Sequence, residues 1–148
     1  MNPSILAIAL VILAGGATAL QGPTNARLAT AVGSPVNAAF VSFSVGAVAL
    51  AVLAIAFQTR PDWGATRALP WYTWMGGLYG VGFVIAAAWS VPRLGAALTV
   101  TLMVSGQVLM SLVVDHFGAL GVPQQPMSMG RLAGVTLIVA GVLLVRRF

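Results

Sequence analysis

The polar side chains that could do chemistry in this sequence are few and mostly uncharged. Gln107, Ser111 and Asp115 follow one another at intervals of four residues, so in a helix they share one face. An amide in an apolar medium needs hydrogen-bond partners, because an unpaired polar group there is costly. Two roles therefore stay open for Gln107 and Ser111: a hydrogen bond between helices, or a contact with a bound solute.

Asp115 is the acid nearest to any long apolar segment, and His116 follows it directly. An acid in that place can carry a proton or pair with an arginine. Arg131 lies across the next loop and is the expected ion-pair partner. Arg27 is a second arginine that we consider for ion pairing or coupling. The histidine is expected to be solvated.

A second polar group comes after the first apolar run. Proline lacks a backbone N–H, so the Gly22-Pro23 dipeptide predicts a break in the helix, with Thr24 as the cap of a short helix that follows. Broken helices at membrane depth are tolerated where they line a cavity. Gln21 and Asn25 would then orient a polar solute, or equally well cap a surface turn. Ser42 is expected to bond to its own helix or a neighbouring one, and is also a candidate solute contact.

Aromatic residues mark the boundaries of the third apolar run. They are Trp71, Tyr72, Trp74 and Trp89. Such rings are typical of the interface between membrane and water, so an anchoring role accounts for them. Trp74 and Tyr79 lie deeper, and the alternative is that they line a cavity and contact a solute.

Composition excludes soluble enzymes. Hydrophobic residues make up 59% of the 148 residues, the mean hydropathy is +1.00 and 6% are charged, whereas an ordinary soluble domain carries about a quarter charged residues. The chain has no cysteine, and one histidine with two aspartates cannot build a metal cage. It contains no G-x-S-x-G, H-E-x-x-H or P-loop motif. We therefore expect no enzyme, no metal and no cofactor.

The net charge of +5 comes from arginines that lie singly between apolar runs. This pattern favours contact with anionic lipid head groups over contact with nucleic acid. The expected surroundings of the chain are therefore a lipid bilayer, and no nucleic-acid partner is expected.

Five apolar runs are long enough, or nearly so, to cross a bilayer core of about 30 Å as helices. They are residues 5–20, 36–57, 71–90, 94–114 and 132–145, and none contains a charged residue or histidine. We predict an all-α integral membrane protein with one five-helix domain over residues 1–148. The fifth run is short and is expected to extend back toward Met127. For the first run the alternative is a signal peptide, although no Lys or Arg precedes it.

Proline and glycine mark the connections between these runs. Gly33-Ser34-Pro35 predicts a stop before the second run, and residues 58–64 form a polar, turn-rich connection. Val91-Pro92-Arg93 predicts a tight link between the third and fourth runs. Residues 118–129 are expected to form a loop rich in proline and glycine.

Glycines offer surfaces for close helix packing. Gly76, Gly77 and Gly80 lie close together in the third run, and Gly134 follows Gly130 at a four-residue spacing at the start of the fifth helix. Small residues let membrane helices approach each other closely. We therefore predict helix packing at Gly76, Gly77, Gly80 and Gly134, with a hinge in the third run as the alternative.

The arginines give almost no signal for orientation. Five spans place three of them on one side of the membrane: Arg60, Arg67 and Arg131. They place four on the other side: Arg27, Arg93, Arg146 and Arg147. Because flanking arginines set the orientation of membrane helices, a chain this balanced would insert both ways up.

The odd number of spans has its own consequence. Many secondary transporters consist of two inverted repeats around a site at the midplane, and five spans cannot be divided into two equal halves. The missing symmetry would then come from a second chain. We predict an antiparallel dimer of five plus five helices, made of two copies or of one copy and an oppositely oriented paralogue.

Several blocks of residues together resemble one family over essentially the whole chain. They are residues 20–28 (LQGPTNARL), 39–46 (AFVSFSVG), 74–80 (WMGGLYG) and 111–118 (SLVVDHFG). They are similar to the short five-helix YdcZ-type exporters, a branch of the drug/metabolite transporter superfamily. The resemblance implies a multi-pass protein of the bacterial inner membrane that forms homodimers or heterodimers of opposite orientation.

One departure from related proteins limits what the resemblance implies. The four-helix small multidrug exporters of the same superfamily use a membrane glutamate in their first helix, and this chain has no glutamate. Their exchange of protons for cations therefore does not carry over. Either Asp115 takes that role, or Gln107, Asn25 and aromatic faces bind the substrate without charge pairing.

Two functions follow from these residues. The first is a small dimeric exporter that moves a small amphipathic or polar metabolite or drug-like solute by alternating access at the dimer interface. The alternative is an accessory membrane subunit that binds a partner through its glycine faces. A third hypothesis, an ion channel, has less support, because the sequence has neither a ring of charges nor a filter-like loop.

Overall fold

The fold is built from five long apolar helices. The structure, a computed structural model, describes residues 3–148, and within that range it contains no strand. In chain order the elements are α1 (Pro3–Val32), α2 (Pro35–Ala56), a short α3 (Trp63–Thr66), a 3₁₀ turn (Trp71–Met75) that leads into α4 (Gly76–Leu94), α5 (Ala96–Phe117), a second 3₁₀ turn (Ala119–Gly121) and α6 (Met129–Arg147). Five of these segments are long and apolar enough to cross a membrane. The prediction of an all-α protein with five membrane-spanning helices is confirmed.

The predicted break in the first helix is wrong. α1 runs through Pro23 without interruption and is 30 residues long, so it extends well beyond residues 5–20. Proline removes only one backbone donor, and neighbouring hydroxyl groups can bond to the carbonyls of the adjoining turn. The hydroxyl of Thr24 makes such a bond inside α1: its Oγ1 donates to the carbonyl of Leu20 at 2.8 Å, next to the Ala19 carbonyl that loses its N–H partner at Pro23. It is therefore a residue inside α1 and does not cap a new helix.

The predicted stop between the first two helices is confirmed. Gly33 has φ +84°, a conformation that glycine adopts without strain. Ser34 then caps α2, since its Oγ accepts from the N–H of Asn37 at 3.0 Å. The Asn37 side chain donates to the carbonyl of Val32 at 2.8 Å, which satisfies the end of α1.

The tight link predicted between the third and fourth apolar runs is confirmed, but its predicted position at Val91-Pro92-Arg93 is wrong. α4 continues through Pro92 to Leu94, and the connection to α5 is the single residue Gly95, with φ +80°. Arg93 stabilises the last turn of α4, because its guanidinium lies 3.9 Å from the centre of the Trp89 ring and donates to the Trp89 carbonyl. Proline thus lies inside two helices of this chain, and glycines with positive φ form the connections.

The chain divides into two compact units, Met1–Arg93 and Leu94–Phe148, which are described separately. In the N-terminal unit the buried apolar side chains are small. They are Ala26, Ala29, Ala38, Ala39, Val84, Ala87 and Ala88. α1 packs along α2. Packing of small side chains is how helices approach each other in lipid, where no hydrophobic effect drives them together.

In the C-terminal unit α5 packs along α6. Thr99 is buried, and its Oγ1 donates to the carbonyl of Gly95 at 2.7 Å, which leaves the hydroxyl satisfied. α6 begins at Met129, so the fifth span does extend back toward Met127 as expected. The prediction that residues 1–148 form one five-helix domain stays a prediction.

Candidate functional site

Gln107 lies halfway along α5, and its side chain is exposed. Within residues 3–148 its amide makes no hydrogen bond. Ser111 is exposed one turn later, but its hydroxyl donates to the carbonyl of Val108 at 2.9 Å. The shared face that the sequence predicts therefore presents one amide without a partner, near the middle of a membrane-spanning helix.

Asn25 lies between two helices. Only 2% of the residue is exposed, and its Oδ1 accepts a hydrogen bond from the hydroxyl of Ser42 on α2. The expectation that Asn25 caps a surface turn is wrong, because α1 continues through this point and turns the side chain toward α2. The expected bond from Ser42 to a neighbouring helix is confirmed. This pair joins α1 to α2.

Beside this pair, a cavity of about 300 Å³ opens between α1 and α2. We call it the α1–α2 notch, and its lining residues are Gln21, Ser42, Phe43, Gly46, Ala47 and Leu50. Gln21 is exposed, and within residues 3–148 its amide has no hydrogen-bond partner. The notch thus offers an amide and a hydroxyl next to an apolar wall, and its lining carries no charged side chain.

Asp115 and Arg131 form the expected ion pair. Arg131 Nη1 lies 3.6 Å from Asp115 Oδ2, and the two side chains are 25% and 37% exposed, Arg131 being the less exposed. Arg131 also donates to the main-chain carbonyl of Gln125 at 2.9 Å and to its side-chain oxygen. Arg27 is exposed on α1 and has no acidic partner among residues 3–148.

His116 has a more specific environment than the sequence suggested. Its Nδ1 accepts from the backbone N–H of Met127 at 3.0 Å, and its carbonyl accepts from Gln124 Nε2 at 3.0 Å. The N–H of Gln125 donates to the carbonyl of Asp115 at 2.8 Å. Sequence reasoning missed this arrangement. The available signal was the pair of glutamines between two prolines, at the right distance to fold back on the Asp-His dipeptide.

The predicted aromatic and glycine positions differ in their surroundings. Trp74 and Tyr79 are 60% and 67% exposed. A Cβ added at Gly80 would lie 3.1 Å from Phe43 Cζ on α2, so this glycine packs as predicted. The three other predicted glycines have open space on their Cβ side within the described chain. They are Gly76, Gly77 and Gly134.

Gly22 is a packing position that sequence reasoning missed. A Cβ placed there would lie 3.2 Å from Val91 Cγ2 and 3.7 Å from Ala87 Cβ, so α1 and α4 meet at this glycine. The sequence drew attention to Gly22 only as a helix breaker next to Pro23. A glycine inside an apolar helix more often marks close helix contact.

Comparisons with known proteins agree along the whole chain. The family described as "Putative inner membrane exporter, YdcZ" matches residues 6–144. The chain is 30% identical to the Inner membrane protein YdcZ of Escherichia coli K12 over 148 residues, which covers 99% of this chain and 98% of that protein. No solved structure matches the chain.

Proposed function

We propose that this chain, which belongs to the YdcZ family of inner-membrane exporters, works as two copies in opposite orientations that move a small amphipathic or polar solute by alternating access. It is a multi-pass protein of the inner membrane, and the function of its family is transport, which is not an enzymatic activity.

We base this proposal on the side-chain amide of Gln107, which has no hydrogen-bond partner within residues 3–148. An amide has two donor hydrogens and an acceptor oxygen, and leaving such a group unpaired costs about 1–3 kcal/mol on protein scales. At mid-span, lipid tails would provide no partner. A second chain or a bound solute would provide one, so we place the Gln107 face of α5 at a shared, solute-accessible interface.

The balance of arginines supports an inverted arrangement. At 1.5 Å per residue α1 is about 45 Å long, which exceeds a hydrocarbon core of about 30 Å. Arg27, five residues before the end of α1, can therefore reach the head groups although it lies inside a helix. The three-to-four distribution of arginines between the two sides still holds, and it favours insertion in both orientations.

The α1–α2 notch supports the kind of solute. Its polar groups, Gln21 and Ser42, are uncharged, and its wall is made of Phe43 and small or aliphatic side chains. A fixed charge on the solute would find no counter-charge there. An uncharged hydrogen-bonding group attached to an apolar body matches this lining.

Flux measurements in proteoliposomes test the proposal. The wild-type protein should show saturable flux of at least one solute in a panel of uncharged amphipathic compounds, and Gln107→Ala should lower it about tenfold, the effect of losing roughly 1.4 kcal/mol of solute contact. Leu109→Ala is the matched control, because Leu109 is 42% exposed and lies about 200° around the same helix. Absence of saturable flux across a broad panel would count against transport.

The accessory-subunit function is favoured by one observation. Gly76, Gly77 and Gly134 leave open faces that another protein's helices could cover. In that case Gln107→Ala should dissociate the assembly, as measured by cross-linking in native membranes, whereas a transporter should keep its dimer and lose solute binding. Asn25 is unsuited to this test, because its Oδ1 already accepts a hydrogen bond from Ser42 inside the chain.

A further inference from the structure

Residues 118–128, between α5 and α6, fold back onto the end of α5. We call this segment the strap. Its start is the turn at Gly118, with φ +60°. Beyond this turn, three hydrogen bonds tie residues 124–127 of the strap to the end of α5: Gln124 Nε2 and the N–H of Met127 bond to His116, and the N–H of Gln125 bonds to the carbonyl of Asp115. The strap is therefore held against the end of α5 by hydrogen bonds, and the acceptor of one of them is an imidazole nitrogen.

The bond to Met127 fixes the protonation state of His116. A backbone N–H can only donate, so Nδ1 must present its lone pair and the ring proton must lie on Nε2. A protonated imidazole carries hydrogens on both nitrogens, and its Nδ1 can no longer accept. Taking up one proton would replace the hydrogen bond with two N–H groups that face each other.

The charged groups around His116 are few. Asp115 precedes it on the same helix, and Arg131, the one charged residue in the first two turns of α6, is engaged with that carboxylate at 3.6 Å. The strap itself contains no charged or titratable side chain. The ring of Phe117 meets the imidazole edge-on, with centres 4.8 Å apart. The imidazole is half-buried, so protons in solution can reach it.

Loss of the Met127 bond would have a local consequence. Ser128 follows directly and caps α6, its Oγ accepting from the N–H of Arg131 at 3.3 Å. The bonds of Asp115 and Arg131 to Gln125 do not depend on the imidazole, so they would hold the middle of the strap in place. The part set free would be the end of the strap, residues 126–128, which leads into the first turn of α6.

We propose that the strap is a proton-operated latch: His116 holds it closed when neutral and releases residues 126–128 when protonated. The observations that carry this are the Met127-to-Nδ1 hydrogen bond and the adjoining cap of α6 at Ser128. Histidine suits the role because it is the side chain whose charge changes closest to neutral pH.

In the proposed antiparallel dimer, the latch would respond to the side of the membrane from which protons arrive. This consequence rests on the proposed function. In an antiparallel dimer the two copies of the strap lie at opposite faces of the membrane. Acidity on one side would release the strap of one copy and leave that of the other closed. A proton gradient would then act on the two ends of the dimer differently, without an acid in the middle of any span.

Electron paramagnetic resonance of a spin-labelled strap tests the latch in a form independent of transport. The chain has no cysteine, so Met127→Cys gives a single labelling site and keeps the backbone N–H that bonds to His116. In detergent the label should become more mobile between about pH 8 and about pH 5, the range in which histidine changes charge. A label at Leu69→Cys, in the exposed connection before α4, is the control and should not respond.

Two variants of His116 separate the latch from other effects of acid. In His116→Asn the side-chain oxygen can accept in place of Nδ1 and does not titrate, so the strap should stay closed at both pH values. In His116→Phe the acceptor is gone, and the ratio of mobile to immobile label at neutral pH should rise about fivefold, as expected for one ordinary hydrogen bond. A pH response that survives in His116→Asn would overturn the latch. If His116→Phe does not fold, the His116→Asn result alone decides.

Because this readout needs no solute and no membrane, it distinguishes failure of the latch from failure of the transport proposal. A closed, pH-insensitive strap in an active exporter would refute only the latch. A responsive strap in a chain without flux would refute only the proposed function.

Discussion

The two units of the chain hold their helices together by different means. In the N-terminal unit the helices meet through alanines, two glycines and uncharged hydrogen bonds, of which the one between Ser42 and Asn25 is buried. In the C-terminal unit α5 and α6 are joined through Asp115, Arg131 and a folded-back strap. The first kind of contact depends on shape, and the second on charge and protonation. Acid and salt should therefore act on the contact between α5 and α6 and leave the contact between α1 and α2 unchanged.

The largest expected effect is from overfilling the contact between α1 and α4. Gly22→Leu would place a side chain where even a Cβ lies 3.2 Å from Val91, and overpacking of this kind typically costs about 1–3 kcal/mol. The free energy of unfolding, measured by titration with a denaturing detergent, should fall by that amount. Gly15→Leu, on the same helix with open space around it, is the control and should change stability little. Equal losses in both variants would show that α1 does not pack on α4 through Gly22.

The buried hydrogen bond between α1 and α2 should give the next largest effect. Asn25→Ala leaves the hydroxyl of Ser42 without its partner, and such a loss costs about 1–2 kcal/mol. The double variant with Ser42→Ala should cost less than the sum of the two single variants, because the two side chains are coupled. Strict additivity would mean that the contact contributes nothing.

The ion pair of the C-terminal unit should give the smallest effect and the clearest difference between the units. Asp115 and Arg131 are both partly exposed, and such pairs contribute up to about 1 kcal/mol. Asp115→Asn should lower stability by less than that, and the loss should shrink at high salt because ions screen exposed charges. The loss caused by Asn25→Ala should not change with salt. If both losses respond alike, the distinction between the units is wrong.

Much of the fold could be predicted from the sequence, because apolar runs of this length have few alternatives in a bilayer. The positions of the helix ends at Gly33 and Gly118 followed from the turn chemistry of glycine and proline. Pro23 and Pro92 were misread as breaks because in water a helix rarely tolerates proline. In a membrane span, however, the alternative to a continuous helix is a set of unpaired backbone groups.

The candidate site was less predictable, for a physical reason. Periodicity placed Gln107, Ser111 and Asp115 on one face, but it did not reveal which of them would find partners inside the chain. Ser111 bonds to its own helix, Asp115 pairs with Arg131, and Gln107 alone is left without a bond within residues 3–148. The strap depends on contacts between residues 8 to 11 positions apart, which no periodic pattern encodes.

Orientation of the chain in the membrane is the most direct test of the account, since the shared site depends on two inverted copies. Phe148 is 97% exposed at the C-terminus, so Phe148→Cys, in a chain that otherwise has no cysteine, provides a reporter on one side of the membrane. The chain is expressed alone and labelled in spheroplasts with a membrane-impermeant maleimide, before and after permeabilisation. Because the flanking arginines are balanced, about half of the cysteines should react before permeabilisation. Labelling of all the chains, or of none, would contradict it.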